Sequence, residues 1–108
     1  MIKMLKIKLE YKQGILFVKL KGNLNANTAP RFLEYTIPII KDYKIKYMVY
    51  NLKDLVSLDN KGEDALLNSG DYVKRNLGKV LIVNNNINTS LSFDKVSNEL
   101  VALDLLRV

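Results

Sequence analysis

Residues 47–67 read YMVYNLKDLVSLDNKGEDALL, a succession that predicts a strand, a loop and a helix. YMVYNL at 47–52 is apolar without alternation and favours a strand covered on both faces. A helix is predicted from about 61 to 76, because one set of apolar and small residues recurs at i, i+1, i+4, i+5 and i+8. Its members are Ala65, Leu66, Ser69, Gly70 and Val73. The joining loop, LDNKG at 58–62, holds no Ser, His or Cys.

Two further strands are predicted before this unit. Residues 4–10 alternate between apolar and charged side chains, which is typical of a half-buried strand. KQG at 12–14 is a turn signal, and residues 15–21 alternate again, so the two strands should form a hairpin. The side chains predicted to face the core are Leu5, Ile7, Leu9, Leu16, Val18 and Leu20.

GNLNANTAP at 22–30 predicts a loop that leads into a helix. Asn27 or Thr28 can cap this helix, and Pro30 suits a first turn, where its missing N–H has no partner in any case. Pro38 should kink the helix or end it early. The predicted inner face comprises Phe32, Leu33, Thr36, Ile37 and Ile40.

The C-terminal third predicts one more buried strand, KVLIV at 79–83, and then the loop NNNINTS. A short turn of helix is expected around 89–94 and a final helix around 97–106, with Leu100, Val101 and Leu103 facing inward. The order β-β-α-β-α-β-α-α implies right-handed parallel crossovers. We therefore expect an α/β fold, with a mixed sheet of about four strands and about four helices packed on it, as one domain over residues 1–108.

Composition excludes several kinds of chemistry. The 108 residues include no Cys and no His, which removes disulfides, thiol nucleophiles, imidazole bases and nearly all zinc sites. No stretch reaches the roughly 20 apolar residues of a membrane span. The N-terminal MIKMLKIKLEYK lacks the apolar core of a signal peptide. We expect a soluble, cytoplasmic protein that needs no cofactor.

Charge adds little about partners. The formal net charge is +6, but the lysines are spread along the chain, without a dense basic run or an aromatic RNA-binding motif. We therefore expect a solvated surface, with no direct binding of nucleic acid or membrane. Asp54, Asp59, Glu63 and Asp64 lack a recognisable metal-ligand spacing, so no metal site is expected. The Asn-rich stretch at 84–88 is interpreted as a plain loop.

Three stretches together resemble the STAS domain, the family of sulfate-transporter and anti-sigma-factor-antagonist domains. They are GNLNANTAPRF at 22–32, the opening stretch at 47–67 and GKVLIVNNN at 78–86. The resemblance spans about residues 14 to 106 and implies a STAS-like fold. The matching positions in the first two stretches are Gly22, Leu24, Thr28, Ala29, Pro30, Leu52, Val56, Asp59 and Gly62.

The resemblance implies a protein that binds a kinase-like anti-sigma factor and thereby frees a sigma factor. In the family, the anti-sigma factor phosphorylates a serine that follows the loop Asp, and this phosphorylation breaks the complex between the two proteins. Here Asn60 stands at that position and Lys61 at the next, and Asn has no hydroxyl to accept a phosphate. The serine switch should therefore be absent. Phosphoregulation is either lost or moved to Ser57, which lies three residues upstream of the family position.

The predicted partner-binding surface combines two loops. Both follow strands and lead into helices, so they can share one edge of the sheet. Asn60, with Glu63 three residues on, is also interpreted as a helix cap close to a capping box, and Asp59 as either a cap or a partner contact. The predicted partner-binding residues are Asn23, Asn25, Thr28, Asp59, Asn60, Lys61, Gly62 and Glu63.

Other functions remain open. A helix N-terminus with Lys61 beside it can bind a small anion or a nucleotide, although no phosphate-binding GxxxxGK[ST] loop is present. The domain can also serve as a scaffold subunit of a larger regulatory or transport complex. An enzyme would need a pair of carboxylates or a lysine in a cleft, and no such pair stands out, so we expect no catalysis. The oligomeric state is left open between a monomer and a weak dimer.

Overall fold

In a computed structural model that describes residues 4–84 and 91–106, the chain forms one mixed sheet with helices on both faces. The strands are β1 (Leu5–Lys12), β2 (Ile15–Leu24), β3 (Tyr47–Leu58), β4 (Lys79–Val83) and β5 (Asp94–Val96). The helices are α1 (Ala29–Asp42), α2 (Asn60–Arg75) and α3 (Glu99–Leu106). In the described part of the chain, no helix is long and apolar enough to span a membrane.

The sheet order is β1-β2-β3-β4-β5, the same as the order along the chain. β1 and β2 form the expected antiparallel hairpin, and the remaining pairs are parallel. The hairpin turn consists of Gln13 and Gly14, with φ values of 53° and 80°. Positive φ at both turn positions matches the twist of the flanking strands.

Two hydrophobic clusters cover the two faces of the sheet. The larger lies between the sheet and α1 with α2, and the smaller lies between the sheet and α3. In β3, Met48 and Tyr50 face the larger cluster and Val49 faces the smaller one, each with no exposed surface. The prediction that this strand is covered on both sides is therefore confirmed.

The α/β fold class is confirmed, with five strands and three helices in the described residues. The helical turn expected at 89–94 is wrong for the part that the structure describes. Leu91 and Phe93 are buried and Ser92 is exposed, an alternation typical of extended chain, and β5 then pairs with β4. Residues 85–90, with most of the Asn-rich loop, lie outside the described residues.

Pro38 does not end or visibly interrupt α1, which continues to Asp42. Proline removes one backbone donor, so the carbonyl of Glu34 loses its helical partner. Glu34 and Pro38 are both exposed, and water can reach the freed carbonyl. The cost of the proline is therefore smaller on this face than on the buried face, which carries Phe32, Thr36 and Ile40.

The predicted inner face of the last helix is wrong in two of its three residues. Leu100 and Val101 are exposed, and α3 instead buries Ala102 and Leu106, with Leu103 packed beside them. α3 is apolar on nearly all sides, so the sequence period does not distinguish one face from another.

Candidate functional site

The candidate site lies where β2 and β3 end side by side. Their parallel register sets Asn23 opposite Ser57 and Leu24 opposite Leu58. Because parallel strands end at the same edge of a sheet, the loops that follow, 25–28 and 59–62, are neighbours. The structure thus brings together the two loops that were predicted to share one edge of the sheet.

Asp59 joins these loops. Its Oδ1 accepts a hydrogen bond from the Gly62 N–H at 2.8 Å, and its Oδ2 accepts one from the Ala26 N–H at 3.3 Å. Its own backbone N–H donates to the carbonyl of Leu24 at 3.3 Å. The carboxylate therefore satisfies one free donor at the start of α2 and one in the other loop.

The prediction that Asn60 caps α2 is wrong, because Asp59 occupies the cap position. Asp59 has extended backbone angles, φ −99° and ψ −178°, whereas Asn60 already belongs to the helix. The N–H of Glu63 donates to the Asp59 carbonyl at 2.9 Å, which closes the first helical turn. Asn60 is left exposed at the first position of α2.

The loop that precedes α1 is held by its own polar side chains. Asn25 Oδ1 accepts from the N–H groups of Asn27 and Thr28, at 2.9 and 3.2 Å. Thr28 Oγ1 donates to the Asn23 carbonyl at 2.8 Å and accepts from the Asn25 N–H at 3.0 Å. Thr28 occupies the N-cap position of α1, yet its hydroxyl turns back into the loop and makes no capping bond.

Asn23 and Ser57 connect the two strand ends beneath these loops. The Ser57 hydroxyl donates to the side-chain oxygen of Asn23, which is buried. Asn23 and Thr28 therefore support the two loops from within, and their polar atoms are largely engaged in hydrogen bonds inside the protein. Both were predicted to contact a partner, because a local sequence pattern does not reveal these hydrogen bonds.

Gly62 permits the close approach of α2 to the neighbouring loop. A Cβ at this position would lie 2.2 Å from the Leu24 carbonyl oxygen and 2.8 Å from Leu58 Cδ1. Gly62 is buried, so it contributes little to the accessible surface of the site. Its role is to let the Asp59 bridge form.

The accessible part of the site is the first turn of α2 and the groove beside it. Asn60, Lys61 and Asp64 are exposed. Between α1 and α2 lies a groove of about 450 Å³. It is lined by Ala26, Ala29, Pro30, Leu33, Lys61, Asp64, Ala65 and Asn68. Most of these were not predicted, because a groove between two helices depends on tertiary packing that a local pattern does not encode.

A second hollow, of about 290 Å³, lies on the other side of the same helical turn. It is lined by Asn60, Glu63, Asp64, Leu67, Leu91 and Ser92. The structure thus places Asn60 and Lys61 toward different hollows, one on each side of the start of α2.

The acidic side chains near the site are not arranged to hold a metal ion. Within residues 4–84 and 91–106, no group of three or more His, Cys, Asp or Glu converges. Asp54 lies back along β3 opposite Lys21, and the Asp59 carboxylate is used by backbone donors. The site offers backbone-locked loops and exposed polar side chains, which suit recognition of another surface.

Comparison with known proteins agrees with this architecture. The STAS domain family matches residues 6–99, and the chain belongs to this family. The resemblance inferred from the three sequence stretches is thereby confirmed.

The fold is shared with solved anti-sigma-factor antagonists. The antagonist SpoIIAA in its unphosphorylated form is 16% identical, with a TM-score of 0.79 over 94% of this chain and 98% of that one. An anti-sigma factor antagonist from Mycobacterium paratuberculosis is 16% identical, with a TM-score of 0.78 over 96% and 95%. The Bacillus cell fate determinant SpoIIAA in its phosphorylated form is 14% identical, with a TM-score of 0.71 over 94% of this chain and 100% of that one. At these identities the likeness establishes the fold.

Proposed function

We propose that this STAS domain is a non-catalytic, cytoplasmic binding protein that engages a kinase-like anti-sigma factor or a related partner without a serine switch. The observation that carries the proposal is the Asp59 bridge from Gly62 to Ala26, which locks two loops into one platform. Exposed side chains at the start of α2 project from it. A pre-ordered surface loses little conformational entropy when a partner binds.

The residues of the platform divide into two roles. Asn23, Thr28 and Gly62 hold the loops through partly buried hydrogen bonds and close packing. Asn60 and Lys61 are exposed and free to contact a partner, with Asn25, Asp59 and Glu63 at the margin of that surface. We assign recognition of the partner to Asn60 and Lys61.

Loss of the acceptor serine implies a complex that phosphorylation at this position does not break. A phosphate adds about two negative charges at one point of an interface, and Asn60 cannot carry one. Ser57 is a poor replacement, because its hydroxyl is already bonded to the Asn23 side chain within the sheet. We infer that this protein binds its partner constitutively.

A small anion at the start of α2 is a less suitable ligand than a protein. The Asp59 carboxylate already bonds the Gly62 N–H there, and Asp64 is also close to Lys61 along the groove. An anion would have to displace one carboxylate and approach another. The site therefore favours a protein surface.

The test is a pull-down from the native cell, with the wild-type protein and two charge variants as bait. Lys61→Glu reverses a charge on the platform, and Lys95→Glu makes the same change at an exposed position on β5, outside both hollows beside the start of α2. We expect a kinase-like ATPase to be retained by the wild type and by Lys95→Glu, and lost by Lys61→Glu. Recovery of transport or scaffold components instead would reject the anti-sigma-factor assignment.

A second step examines the missing switch. The purified partner is mixed with ATP and either the wild type or Asn60→Ser. We expect phosphate on the variant alone and release of the variant from the complex. Phosphorylation of the wild type would show that another residue has taken over the switch.

A further inference from the structure

On the α3 side of the sheet, β1 and β2 present a concentration of cations that the platform does not use. Alternate residues of a strand point to opposite faces. Since Leu5, Ile7 and Leu20 pack toward α1 and α2, Lys6, Lys8, Lys19 and Lys21 face the other way. α3 covers the other end of this face, around Phe17 and Val49, and leaves these lysines open.

The side chains border a trough of about 510 Å³ beside the edge strand. We call it the basic trough, and its charged lining is Lys6, Lys8, Lys19, Lys21, Arg31 and Asp54. Five of these six groups are cations. Most of its charged lining comes from β1 and β2, and Arg31 reaches it from α1 at the edge strand, where its side chain donates to the Leu5 carbonyl. The trough shares no lining residue with the groove between α1 and α2.

The strand register sets like charges directly opposite each other. Lys6 is paired with Lys21, and Lys8 with Lys19. Like charges at directly opposed positions destabilise a sheet. A pair of this kind is therefore unfavourable unless an anion lies between the two lysines, and Glu10 supplies that anion for Lys8 and Lys19.

Ion pairs with carboxylates neutralise one end of the trough. Glu10 is 3.7 Å from Lys8 and 3.3 Å from Lys19, and Glu99 is 3.6 Å from Lys19. In the described part of the chain, Lys6 and Lys21 form no ion pair. Asp54 also lines the trough and is paired with Lys21 in the strand register, so it offsets part of the charge there. The positive charge that remains is centred on Lys6 and Lys21.

The geometry points to a binding site for a multiply charged phosphate group, centred on Lys6 and Lys21. Lysine binds phosphate as a compact point charge, and several lysines around one hollow suit an anion with several negative oxygens. Among the described residues, no aromatic side chain lines the trough, so none of them offers a surface on which a nucleobase could stack. The phosphate can belong to a soluble polyphosphate or to anionic lipid head groups.

The decisive experiment is a calorimetric titration with inorganic triphosphate. Lys6→Gln/Lys21→Gln removes the two cations on which the site is centred. Lys41→Gln/Lys95→Gln removes the same total charge from exposed positions on α1 and β5, outside the trough. We expect the first variant to bind at least about tenfold more weakly than the wild type, and the control to bind as the wild type does. Equal weakening in both variants would overturn the site, because net charge alone would then explain binding.

A vesicle experiment distinguishes the two sources of phosphate. Sedimentation is compared for vesicles of phosphatidylcholine alone and of equal parts phosphatidylcholine and phosphatidylglycerol. Binding to the anionic vesicles without binding to triphosphate, abolished in Lys6→Gln/Lys21→Gln only, assigns the trough to lipid head groups. Absence of wild-type binding in both experiments would overturn the proposal.

Discussion

The side chain of Asp59 and the backbone N–H of Ala26 are joined by a hydrogen bond across 33 positions of the sequence. The same carboxylate caps α2 through Gly62, so one side chain fixes both the start of the helix and the position of the adjacent loop. Removing it should therefore affect stability as well as any partner contact. For this reason Asp59 is a poor residue with which to test binding alone.

Asp59→Ala should lower the free energy of unfolding by about 1–2 kcal/mol, because it removes the helix cap and the bond to Ala26. Urea denaturation measures this change. Asp71→Ala, which removes an exposed acid from the same helix, is the matched control and should change stability by less than about 0.5 kcal/mol. Equal effects of the two substitutions would contradict the cap assignment.

Gly62→Ala should destabilise the protein by at least about 2 kcal/mol, because the new methyl group would lie 2.2 Å from the Leu24 carbonyl oxygen. Gly14→Ala is the control, since its Cβ would meet no atom within 4 Å and would experience only the strain of φ +80°. That strain costs about 1 kcal/mol. Thermal unfolding should rank Gly62→Ala below Gly14→Ala, and the reverse order would refute the close approach.

Thr28→Val and Thr36→Val should act in opposite directions. Thr28 Oγ1 bonds the Asn23 carbonyl and the Asn25 N–H, so its loss should cost about 1–2 kcal/mol. Thr36 is fully buried, and its hydroxyl has no partner among the described residues. Replacing it with an apolar group of the same shape should leave stability unchanged or raise it. Parallel denaturant titrations provide the comparison, and a similar loss in both variants would argue against the Thr28 network.

Tyr50 should make stability depend on alkaline pH. Burial raises the pKa of Tyr50 well above its ordinary value, and its hydroxyl bonds the Leu66 carbonyl at 3.0 Å and the Ser69 hydroxyl. Above pH of about 10 the unfolded chain loses the tyrosine proton and the folded chain keeps it, so stability falls as pH rises. The contribution of Tyr50 is fully present below that pH.

Tyr50→Phe removes this dependence together with about 1–2 kcal/mol of stability from the lost hydrogen bonds. The difference between wild type and variant, measured by denaturation at several pH values, should shrink by about 1.4 kcal/mol per pH unit above pH of about 10. Tyr43→Phe, at an exposed tyrosine, is the control for removal of a tyrosine hydroxyl as such. A constant difference for Tyr50→Phe across this range would contradict ionisation of the unfolded state as the cause.

Local periodicity was sufficient to predict the hairpin, the central strand and the buried face of α2. Each of these features is encoded by residues that are close together in the sequence. β5 was missed because it has three residues and exists only through pairing with β4. A strand that short carries no period of its own.

The two loops predicted to form the candidate site do lie side by side, but the roles of individual residues within them differ from the prediction. Asp59 and Asn60 are both good helix caps, and the sequence cannot choose between them. In the structure Asp59 is the cap, and its carboxylate also accepts a hydrogen bond from Ala26, which belongs to the other loop and is distant in the sequence. Likewise, Asn23 and Thr28 looked available for a partner, and only the three-dimensional arrangement shows that their polar atoms are engaged inside the protein.

The sequential strand order has a consequence for how the chain reaches its native state. Each strand of the described sheet lies beside the strand synthesised just before it, so none has to be inserted between two that have already paired. As a ribosome releases the chain from its N-terminus, the β1–β2 hairpin is completed first and offers an edge to β3, and β3 does the same for β4. The sheet can therefore grow in one direction from β1, and a stalled or shortened chain leaves an open edge at its last strand rather than a gap within the sheet.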